Sequence, residues 1–471
     1  MNADARRENM RALAVAAGLS DEEAALRLDK AVLITFDPAD VLASRLAGEV
    51  IPILSRTLEV SCDEGAGVSY AAELVMGRCT PRASCPRVFA LLLGDRCFIS
   101  SRPGDAAGVP GPLPHPLMIQ LAACYVAGAA IRRAVGDGIP NVSRRDFTVP
   151  FDAFIDKMVD LSAPVDLGEA YLAGAGAIGN GFLWAARHVR VEGRLHVVDD
   201  DVVSFGNLQR QIWFEEADVG KPKAERLCEK ARPLLAGCLL EPSTTRLQEH
   251  KNRSDGPWLR RLIVAVDSRR ARRHLQNELP GEVLDASTTG SKEVVLHYSR
   301  RPSDLACMGC VYHRNDIELT HEAAVAAHLG VDVGALRTER IDPATARRIC
   351  ESHPHLSAES ITGLAFDTLY KQLCGSGLLR AAGGEQVVAP FAFISVLAGT
   401  LLLIELIRRQ HMIEADFTND WRVDPWQGPV PEMRQRRPRR DTCECCGRRE
   451  IQDANAALWG GSMNVGQPSR I

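Results

Sequence analysis

Short apolar runs alternate with stretches of helical periodicity along much of this chain. In its centre, an apolar run ends at 171–173, apolar positions recur at helical spacing over 178–189, and a second apolar run covers 195–198. A further apolar run spans 262–266. This succession of strand, helix and strand predicts βαβ units, and therefore a parallel sheet covered by helices.

The N-terminal part has a similar pattern without the same motifs. Apolar strands are predicted at 31–36 and 87–93, followed by a long apolar helix over 115–131 that ends in two arginines. The segment 390–407 repeats this long apolar design and also ends in two arginines. This repeated pattern predicts an internal duplication with a degenerate first copy. The alternative is a pair of mixed helical domains of unrelated origin.

A glycine-rich turn follows the first central strand directly. Gly174, Gly176 and Gly179 form G-x-G-x-x-G, which lets the backbone turn tightly and approach a phosphate at the N-terminus of the next helix. Asp199 follows the second strand, where a carboxylate can hold ribose hydroxyls. By itself this pattern fits a hydride-transfer cofactor such as NAD equally well.

The polar residues that follow change this interpretation. An NAD pyrophosphate is held mostly by backbone amides, whereas a triphosphate attacked at its α-phosphorus needs cations on its oxygens and a carboxylate for Mg²⁺. Arg210 in the run NLQRQ, Lys223 in GKPK and Asp267 after the third strand supply these groups. The sequence therefore favours ATP over NAD.

Lysine is rare in this chain, which makes Lys223 more informative. The sequence has 8 lysines among its 56 Lys and Arg residues, and GKPK contains two of them. A solvated pair at the start of a helix is the simpler explanation for an arbitrary lysine. Beside the glycine turn and Arg210, a phosphate-binding role is the better interpretation.

The ordered motif resembles the ThiF, MoeB and HesA adenylyltransferase and ubiquitin-activating enzyme superfamily. The family pattern of glycine loop, D-x-D, N-L-x-R-Q, G-x-x-K and a later strand-end Asp is matched in order by Gly174, Gly176, Gly179, Asp199, Asp201, Asn207, Arg210, Gln211, Lys223 and Asp267. One departure is Phe205-Gly206, where the family usually has a small or apolar residue followed by Ser. The departure alters the turn before Asn207 but changes no charged position.

The resemblance implies an α/β fold with a Rossmann-like, doubly wound adenylation domain that uses ATP and Mg²⁺. It implies that Asp199 holds the ribose, Asn207 orients the phosphates, and Asp267 positions Mg²⁺. Arg210 and Lys223 would neutralise phosphate charge. The expected nucleotide-binding set is completed by Gly174, Gly176, Ala177, Gly179, Asp201 and Gln211.

Composition limits the class of protein. The 471 residues allow two or three domains, and 46% hydrophobic with 25% charged residues suits a globular chain. A net charge of −4 argues against a general nucleic-acid binder. Five arginines between 434 and 440 would fit an acidic partner, but a solvated linker is the expected explanation.

The sequence also predicts a cytoplasmic protein that does not enter a membrane. The N-terminus mixes acidic and basic residues with no apolar core behind them, so no signal peptide is expected. The apolar stretch 390–407 approaches spanning length, but Ser395, Thr400 and Glu405 interrupt it. A helix buried between packed layers explains it better.

The cysteines of a cytoplasmic chain are expected to be ligands, nucleophiles or core residues rather than disulfides. Cys307 and Cys310 form one C-x-x-C pair, and Cys443 and Cys446 form another. Together they can supply a closed four-thiolate structural zinc site, and coincidence is the alternative. The arrangement also resembles the zinc site of the superfamily. Cys445 lies inside the second pair and could replace a neighbour.

The resemblance places a thioester-forming cysteine between the two halves of the zinc site. Cys374 follows a predicted helix at 361–373 and precedes a glycine-rich segment, so it ranks first. Cys350 has arginine and histidine neighbours that would lower its pKa, and it ranks second. A small buried hydrophobe is the structural alternative for either residue.

These parts predict an activating enzyme that adenylates a ubiquitin-like protein, forms a thioester on Cys374 and passes the acyl group to a conjugating enzyme. The alternatives are a sulfur-carrier adenylyltransferase without thioester transfer, an NAD-dependent oxidoreductase and a non-catalytic scaffold. The Arg-rich, Lys-poor composition and the resemblance indicate a bacterial ubiquitin-like conjugation operon, some of which are linked to antiviral defence.

The expected domain plan follows the motifs. It comprises a degenerate adenylation-like half at 1–142, the active adenylation domain at 143–300, the zinc-pair and catalytic-cysteine region at 301–388, the closing helix and return segment at 389–446, and a flexible tail at 447–471. The resemblance places an arginine upstream of the glycine loop that reaches a triphosphate across a dimer. Arg144 or Arg145 could take this role, and a linker charge is the alternative. The first half would replace a second subunit or add to a homodimer.

Overall fold

The computed structural model describes residues 2–65, 68–103, 112–136, 139, 146–314, 316–337, 340–364, 366, 369–370, 373, 389–411 and 418–460. The described residues form a mixed α/β fold around a six-stranded sheet and an eight-stranded sheet. Each sheet is built mainly from parallel strands at its centre and antiparallel strands at one edge. The apolar runs of the sequence become the buried strands.

The first sheet belongs to the N-terminal part of the chain. Its elements are α1 Ala3–Ala17, α2 Asp21–Leu28, β1 Val32–Thr35, α3 Val41–Leu54, β2 Val60–Ser61, β3 Ala72–Met76, β4 Arg87–Leu92, β5 Arg96–Ser100, α4 Pro116–Val135 and β6 Phe147–Pro150. The strand order is β2-β1-β3-β4-β5-β6. Strands β1 to β4 are parallel, and β5 and β6 run antiparallel to their neighbours.

The second sheet carries the glycine turn. Its strands are β7 Val165–Ala173, β8 Val191–Val198, β9 Cys238–Ser243, β10 Arg261–Val264, β11 Glu282–Thr289, β12 Glu293–Arg300, β13 Asp420–Val423 and β14 Arg434–Gln435. The helices that follow α4 are α5 Ala177–Ala186, α6 Lys223–Ala231, α7 Arg269–Asn277, α8 Met308–Val311, α9 Asp316–Leu329, α10 Pro343–Ser352, α11 Ala358–Ile361, α12 Ala392–His411 and α13 Arg449–Trp459. The strand order is β14-β13-β12-β11-β10-β7-β8-β9.

The two sheets share one plan, as an internal duplication predicts. In each, the first strand lies between the next strand and a later parallel strand, and an antiparallel hairpin precedes a long apolar helix. In the second half the cysteine region lies between the hairpin and that helix. These long helices, α4 and α12, pack against each other, and the Gln120 amide donates to Thr400 Oγ1 at 2.8 Å across their buried contact. The pseudo-symmetric helices therefore join the halves.

The apolar helices lie in the core. Among the described helices, Pro116–Val135 has the length and hydropathy of a membrane span, and 89% of its apolar window is buried inside the fold. The helix predicted from the interrupted stretch 390–407 is α12, which is buried along nearly its whole length. Packing between the two halves accounts for the apolar character of both helices.

Two features differ from the domain plan expected from the sequence. The first half extends beyond residue 142, because Phe147–Pro150 pairs with β5. The segment expected to be a flexible tail contains the helix Arg449–Trp459, whose Trp459 is 3% exposed and donates to the Leu279 carbonyl at 2.9 Å. Long-range contacts that local composition does not reveal order both segments.

The arginine run is also more structured than a solvated linker. Arg434 and Gln435 form β14, and the Arg434 guanidinium lies 4.9 Å from the centre of the Trp421 ring. Arg436 pairs with Asp304 at 3.2 Å. These contacts attach the return segment to the edge of the second sheet.

The region between the cysteine pairs has a small apolar core of its own. This core includes Leu329, Ile349, Phe366 and Tyr370, and it is separate from the main core. A polypeptide segment with its own core can act as a distinct structural unit. The predicted catalytic-cysteine region is therefore a subdomain set beside the second sheet.

Candidate functional site

The glycine turn is shaped by close backbone packing. Gly174 has φ +103°, and a Cβ there would lie 2.7 Å from the carbonyl oxygen of Ala265. A Cβ on Gly179 would collide with the Gly174 carbonyl, whereas one on Gly176 would meet open space. Gly174 and Gly179 are thus required by the fold, and Gly176 leaves room for a phosphate at the N-terminus of α5.

A buried asparagine that the motif reasoning missed supports this turn. Asn180 is fully buried, and its side-chain amide donates to the carbonyls of Ala175 and Gly176 at 2.9 and 3.0 Å. Its side-chain oxygen accepts from the backbone N–H of Trp213 at 3.1 Å. Asn180 therefore links the glycine turn to the segment that carries Arg210. A polar residue inside the apolar helix AIGNGFLWAA was the available signal.

Asp199 lies directly against the glycine turn. One of its carboxylate oxygens accepts from the Ala175 N–H at 2.6 Å, and the other accepts from the Asp201 N–H at 2.9 Å. Burial raises the pKa of the Asp199 carboxyl to about 6, although the Lys223 ammonium acts in the opposite direction. The position at the end of β8 is the one expected of a ribose-binding carboxylate.

Lys223 is brought to the same edge by the start of α6. Its ammonium donates to Asp201 Oδ2 at 2.9 Å, and its backbone N–H donates to the Asp201 carbonyl at 3.0 Å. The Lys223 side chain is only 10% exposed, whereas that of Asp201 is 60% exposed. The lysine is therefore held in place rather than solvated.

The charges of Arg210 and Asp267 interact at the carboxyl end of the parallel strands. Burial lowers the pKa of the Arg210 guanidinium, and the carboxylates of Glu8 and Asp267 act against that shift. Asp267 follows β10 and is exposed. Glu8 comes from α1 of the first half and also faces Gly206, so the N-terminal half reaches the site through a residue that the sequence did not single out.

The remaining motif residues shape the segment around Arg210. Asn207 accepts from the Ser204 N–H at 3.1 Å and ends a short turn that begins at Phe205. Gln211 is buried, and Ala177 is the first residue of α5. The unusual Phe205-Gly206 pair sits in this turn, where a Cβ at Gly206 would make an ordinary contact with Glu8 at 3.6 Å.

The corresponding edge of the first half is occupied by protein groups. Arg82 donates to the carbonyls of Ile34 and Cys62 at 2.6 and 2.8 Å, and thereby lies across the carboxyl ends of β1 and β2. The buried Glu73 carboxylate accepts from Thr35 Oγ1 at 2.7 Å and from the Arg82 N–H at 2.6 Å. This network joins β1, β2 and β3 of the first sheet through protein groups.

The two C-x-x-C pairs come together in a buried cluster. The Sγ atoms of Cys307, Cys310, Cys443 and Cys446 all lie within 4.8 Å of one another. The separations are 3.7 Å for Cys307 to Cys443 and 3.4 Å for Cys310 to Cys446. Tetrahedral zinc with Zn–S bonds of about 2.3 Å requires sulfurs about 3.8 Å apart, so the cluster is compatible with zinc.

Cys445 lies outside this cluster although it is equally buried. Its Sγ atom lies 4.0 Å from the Arg273 carbonyl oxygen, and it packs against Gly309, where an added Cβ would come within 2.6 Å of the sulfur. Within the cluster, the sulfur of Cys310 accepts a hydrogen bond from the Arg440 N–H at 3.4 Å. The fold therefore selects Cys443 and Cys446 from the run CECC.

Of the cysteines considered as nucleophiles, the structure describes Cys350 alone. Cys350 is half-buried on α10 and packs against the separate core of the cysteine region. Its neighbour His353 has its Nε2 atom 2.8 Å from the His328 carbonyl oxygen, so that ring is engaged with the end of α9. Cys374 lies outside the described residues, as do Arg144 and Arg145.

Ion pairs attach the cysteine region to elements of the candidate nucleotide site. Arg270, on the helix that follows Asp267, pairs with Glu322 of α9 at 3.0 Å, and both side chains are buried. Arg340, just before α10, pairs with Asp200 and donates to the Gly363 carbonyl at 2.6 Å. The cysteine region thus lies beside the edge that carries Asp199 and Asp201.

Comparison with known proteins identifies curated relatives of part of the chain. The chain is 32% identical over 287 residues to "Uncharacterized protein y4jF" of Sinorhizobium fredii. This match covers 56% of this chain and 53% of that protein. It is 32% identical over 113 residues to the NEDD8-activating enzyme E1 catalytic subunit of Dictyostelium discoideum, covering 24% and 25%. It is 41% identical over 78 residues to the SAMP-activating enzyme E1 of Haloferax volcanii, covering 17% and 28%. The matches span about half or less of each relative.

Family models cover the two halves separately. An E1 N-terminal domain model matches residues 1–155, which contain the first sheet. The ThiF family model matches residues 168–445, from the first strand of the second sheet to the cysteine cluster. That match covers more than half of the chain and includes the glycine turn, Asp199, Arg210, Lys223 and Asp267, so the protein belongs to the ThiF family.

Proposed function

We propose that this chain activates the C-terminal carboxylate of a ubiquitin-like protein by adenylation and then captures the acyl group on a cysteine. The observation that carries the proposal is the hydrogen-bonded series from the glycine turn through Asp199 and Asp201 to Lys223. Arg210 and Asp267 lie at the same edge. A hydride-transfer site would use the turn and Asp199 but would have no need of both cations.

The adenylation step forms a mixed anhydride. A carboxylate oxygen of the substrate attacks the α-phosphorus of ATP, and the bond to the bridging oxygen breaks, so pyrophosphate leaves with that electron pair. Arg210 and Lys223 would neutralise the phosphate oxygens, while Asn207 orients them and Asp199 holds the ribose. Asp267 would hold Mg²⁺, which supplies Lewis-acid stabilisation of phosphate charge.

The capture step would form a thioester. A cysteine thiolate attacks the acyl carbon of the adenylate, and AMP leaves, because AMP is a much better leaving group than the original carboxylate oxygen. Cys374 is the first candidate and Cys350 the second. The acyl group would then pass to the cysteine of a conjugating enzyme.

The names of the relatives support this choice of substrate. The Dictyostelium and Haloferax proteins are named for the activation of NEDD8 and of SAMP, and an E1 N-terminal domain model precedes the ThiF match in this chain. By this proposal the first half takes the place of a second adenylation subunit. We further propose a cytoplasmic enzyme of a bacterial ubiquitin-like conjugation operon, which rests on the family resemblance.

Adenylation is tested by exchange of labelled pyrophosphate into ATP in the presence of a purified ubiquitin-like protein. We expect exchange with the wild-type chain and a loss of roughly 100-fold in Lys223→Ala, because one preorganised cation at the phosphates is removed. Lys221→Ala is the matched control, since it removes an exposed lysine two positions away. NAD binding without any exchange would instead identify an oxidoreductase.

Thioester formation is tested on the same mixture after denaturation. A reductant-labile adduct that is absent from Cys374→Ala and present in Cys350→Ala would support capture by Cys374. The reverse pattern would assign the nucleophile to Cys350. Exchange without any labile adduct would contradict capture and leave a sulfur-carrier type of adenylyltransferase.

A further inference from the structure

The contact between Asp201 and Lys223 gives Asp201 a different role from the one its place in the D-x-D motif suggests. Asp201 lies at the nucleotide edge, but its carboxylate is bonded to the Lys223 ammonium at 2.9 Å. We propose that Asp201 is a positioning residue that fixes the ammonium of Lys223 for the phosphates of ATP, and is not itself a ligand of the nucleotide. The inference rests on the proposed adenylation function.

The backbone connects Asp201 to both sides of the site. Its N–H donates to Asp199 Oδ1 at 2.9 Å, and its carbonyl accepts from the Lys223 N–H at 3.0 Å. Asp199 in turn accepts from Ala175 in the glycine turn at 2.6 Å. Asp201 therefore sets the spacing between the ribose carboxylate and the lysine.

A lysine at this place needs such a partner. Its side chain has four rotatable carbons and loses much rotational freedom when a ligand orders it. An ammonium has three donors, so the bond to Asp201 leaves two for phosphate oxygens. Because the Lys223 side chain is 10% exposed and that of Asp201 is 60% exposed, the lysine is the buried member, and the carboxylate approaches it from solvent.

The neighbouring carboxylate provides a matched control. Asp200 precedes Asp201 and carries the same charge, but its contacts are with Arg340 and, at 3.9 Å, with Arg246. Substituting either residue with Asn removes one negative charge from the same stretch of chain. Only the substitution at Asp201 removes the lysine contact.

The test measures the affinity of the full chain for Mg²⁺-ATP and for adenosine by competition with a fluorescent ATP analogue. We expect Asp201→Asn to weaken ATP binding about tenfold, since it disrupts one charge-assisted hydrogen bond that orders the lysine. Adenosine affinity should stay unchanged, because adenosine has no phosphate for Lys223 to hold. Asp200→Asn should leave both affinities near wild type, and Asp201→Glu should restore part of the ATP affinity.

A double-mutant cycle decides whether Asp201 acts through Lys223. In the Lys223→Ala background, Asp201→Asn should cause no further loss of ATP affinity. Additive losses, an equal loss for adenosine, or an equal effect of Asp200→Asn would each overturn the positioning role. A wild-type chain that binds no ATP would refute the proposed function itself, which separates the two failures.

Discussion

Asp199 is a residue of the candidate nucleotide site whose ionisation the fold alters. Burial raises the pKa of its carboxyl to about 6, from an ordinary value of about 3.9 for aspartate. A ribose is held best by the ionised form, which accepts hydrogen bonds with both oxygens. At pH 5 only about one tenth of a group with this pKa is ionised, so the site has an acid limit well above that of an exposed aspartate.

Adenosine affinity is therefore expected to fall about tenfold between pH 8 and pH 5, with a midpoint near pH 6. Adenosine is the suitable probe because ATP has phosphates that titrate in the same range. Asp199→Asn should bind adenosine weakly and without this pH dependence. A wild-type affinity that stays constant down to pH 5 would contradict the role of the Asp199 carboxylate.

Helix α5 sets the position of the glycine turn, and its packing against α12 sets the position of α5. The two helices approach closely at Gly181 and Gly399. A Cβ on Gly181 would lie 2.7 Å from the Ser395 carbonyl oxygen, and one on Gly399 would lie 2.7 Å from the Gly181 Cα. Both clashes involve backbone atoms, which cannot move aside as a flexible side chain can.

Gly399→Ala is expected to lower the free energy of unfolding by about 3 kcal/mol, at the upper end of overpacking costs. Gly48→Ala is the control, because Gly48 is exposed within α3 and an added Cβ there meets open space. In a helix interior the same change should stabilise by about 0.5–1 kcal/mol. Thermal unfolding midpoints should shift in opposite directions, and equal shifts would show that the α5–α12 contact is not tight.

At the scale of the molecule, segments that are distant in sequence are held together by direct contacts. The cysteine cluster joins the end of the second sheet's hairpin to the return segment, and α4 packs on α12 to join the halves. Arg56 of the first half donates to the carbonyls of Leu208, Ile212 and Phe214 at 3.0, 2.7 and 2.8 Å. The first half thus supports the segment that carries Arg210.

The cluster should hold one zinc ion per chain when the protein is purified without chelators. Cys443→Ser is expected to abolish stoichiometric zinc, measured by elemental analysis, and to lower the thermal midpoint, because the return segment loses its attachment. Cys445→Ser is the matched control from the same turn and should retain zinc. Loss of zinc in Cys445→Ser with retention in Cys443→Ser would show that the ligand set is wrong.

The apolar pattern and the ordered motif predicted much of the candidate site. The glycine turn, Asp199 and Asp267 each follow a strand that the apolar pattern identifies, and parallel strands bring their carboxyl ends to one edge. Lys223 was identified by its motif. Asn180, Glu8 and Arg82 were not predicted. Their roles depend on contacts between elements that are remote in sequence. A local sequence pattern does not indicate which loop a given side chain will contact.

The sequence by itself determined the family, the order of elements and the charged groups of the proposed ATP site, because periodicity and motif spacing are local properties of the chain. Tertiary structure decided that Asp201 holds Lys223, that Cys446 rather than Cys445 completes the cluster, and that Arg82 bonds to the buried Glu73 in the first half. These outcomes depend on side-chain direction and on distances of a few ångströms between distant segments, which only packing sets.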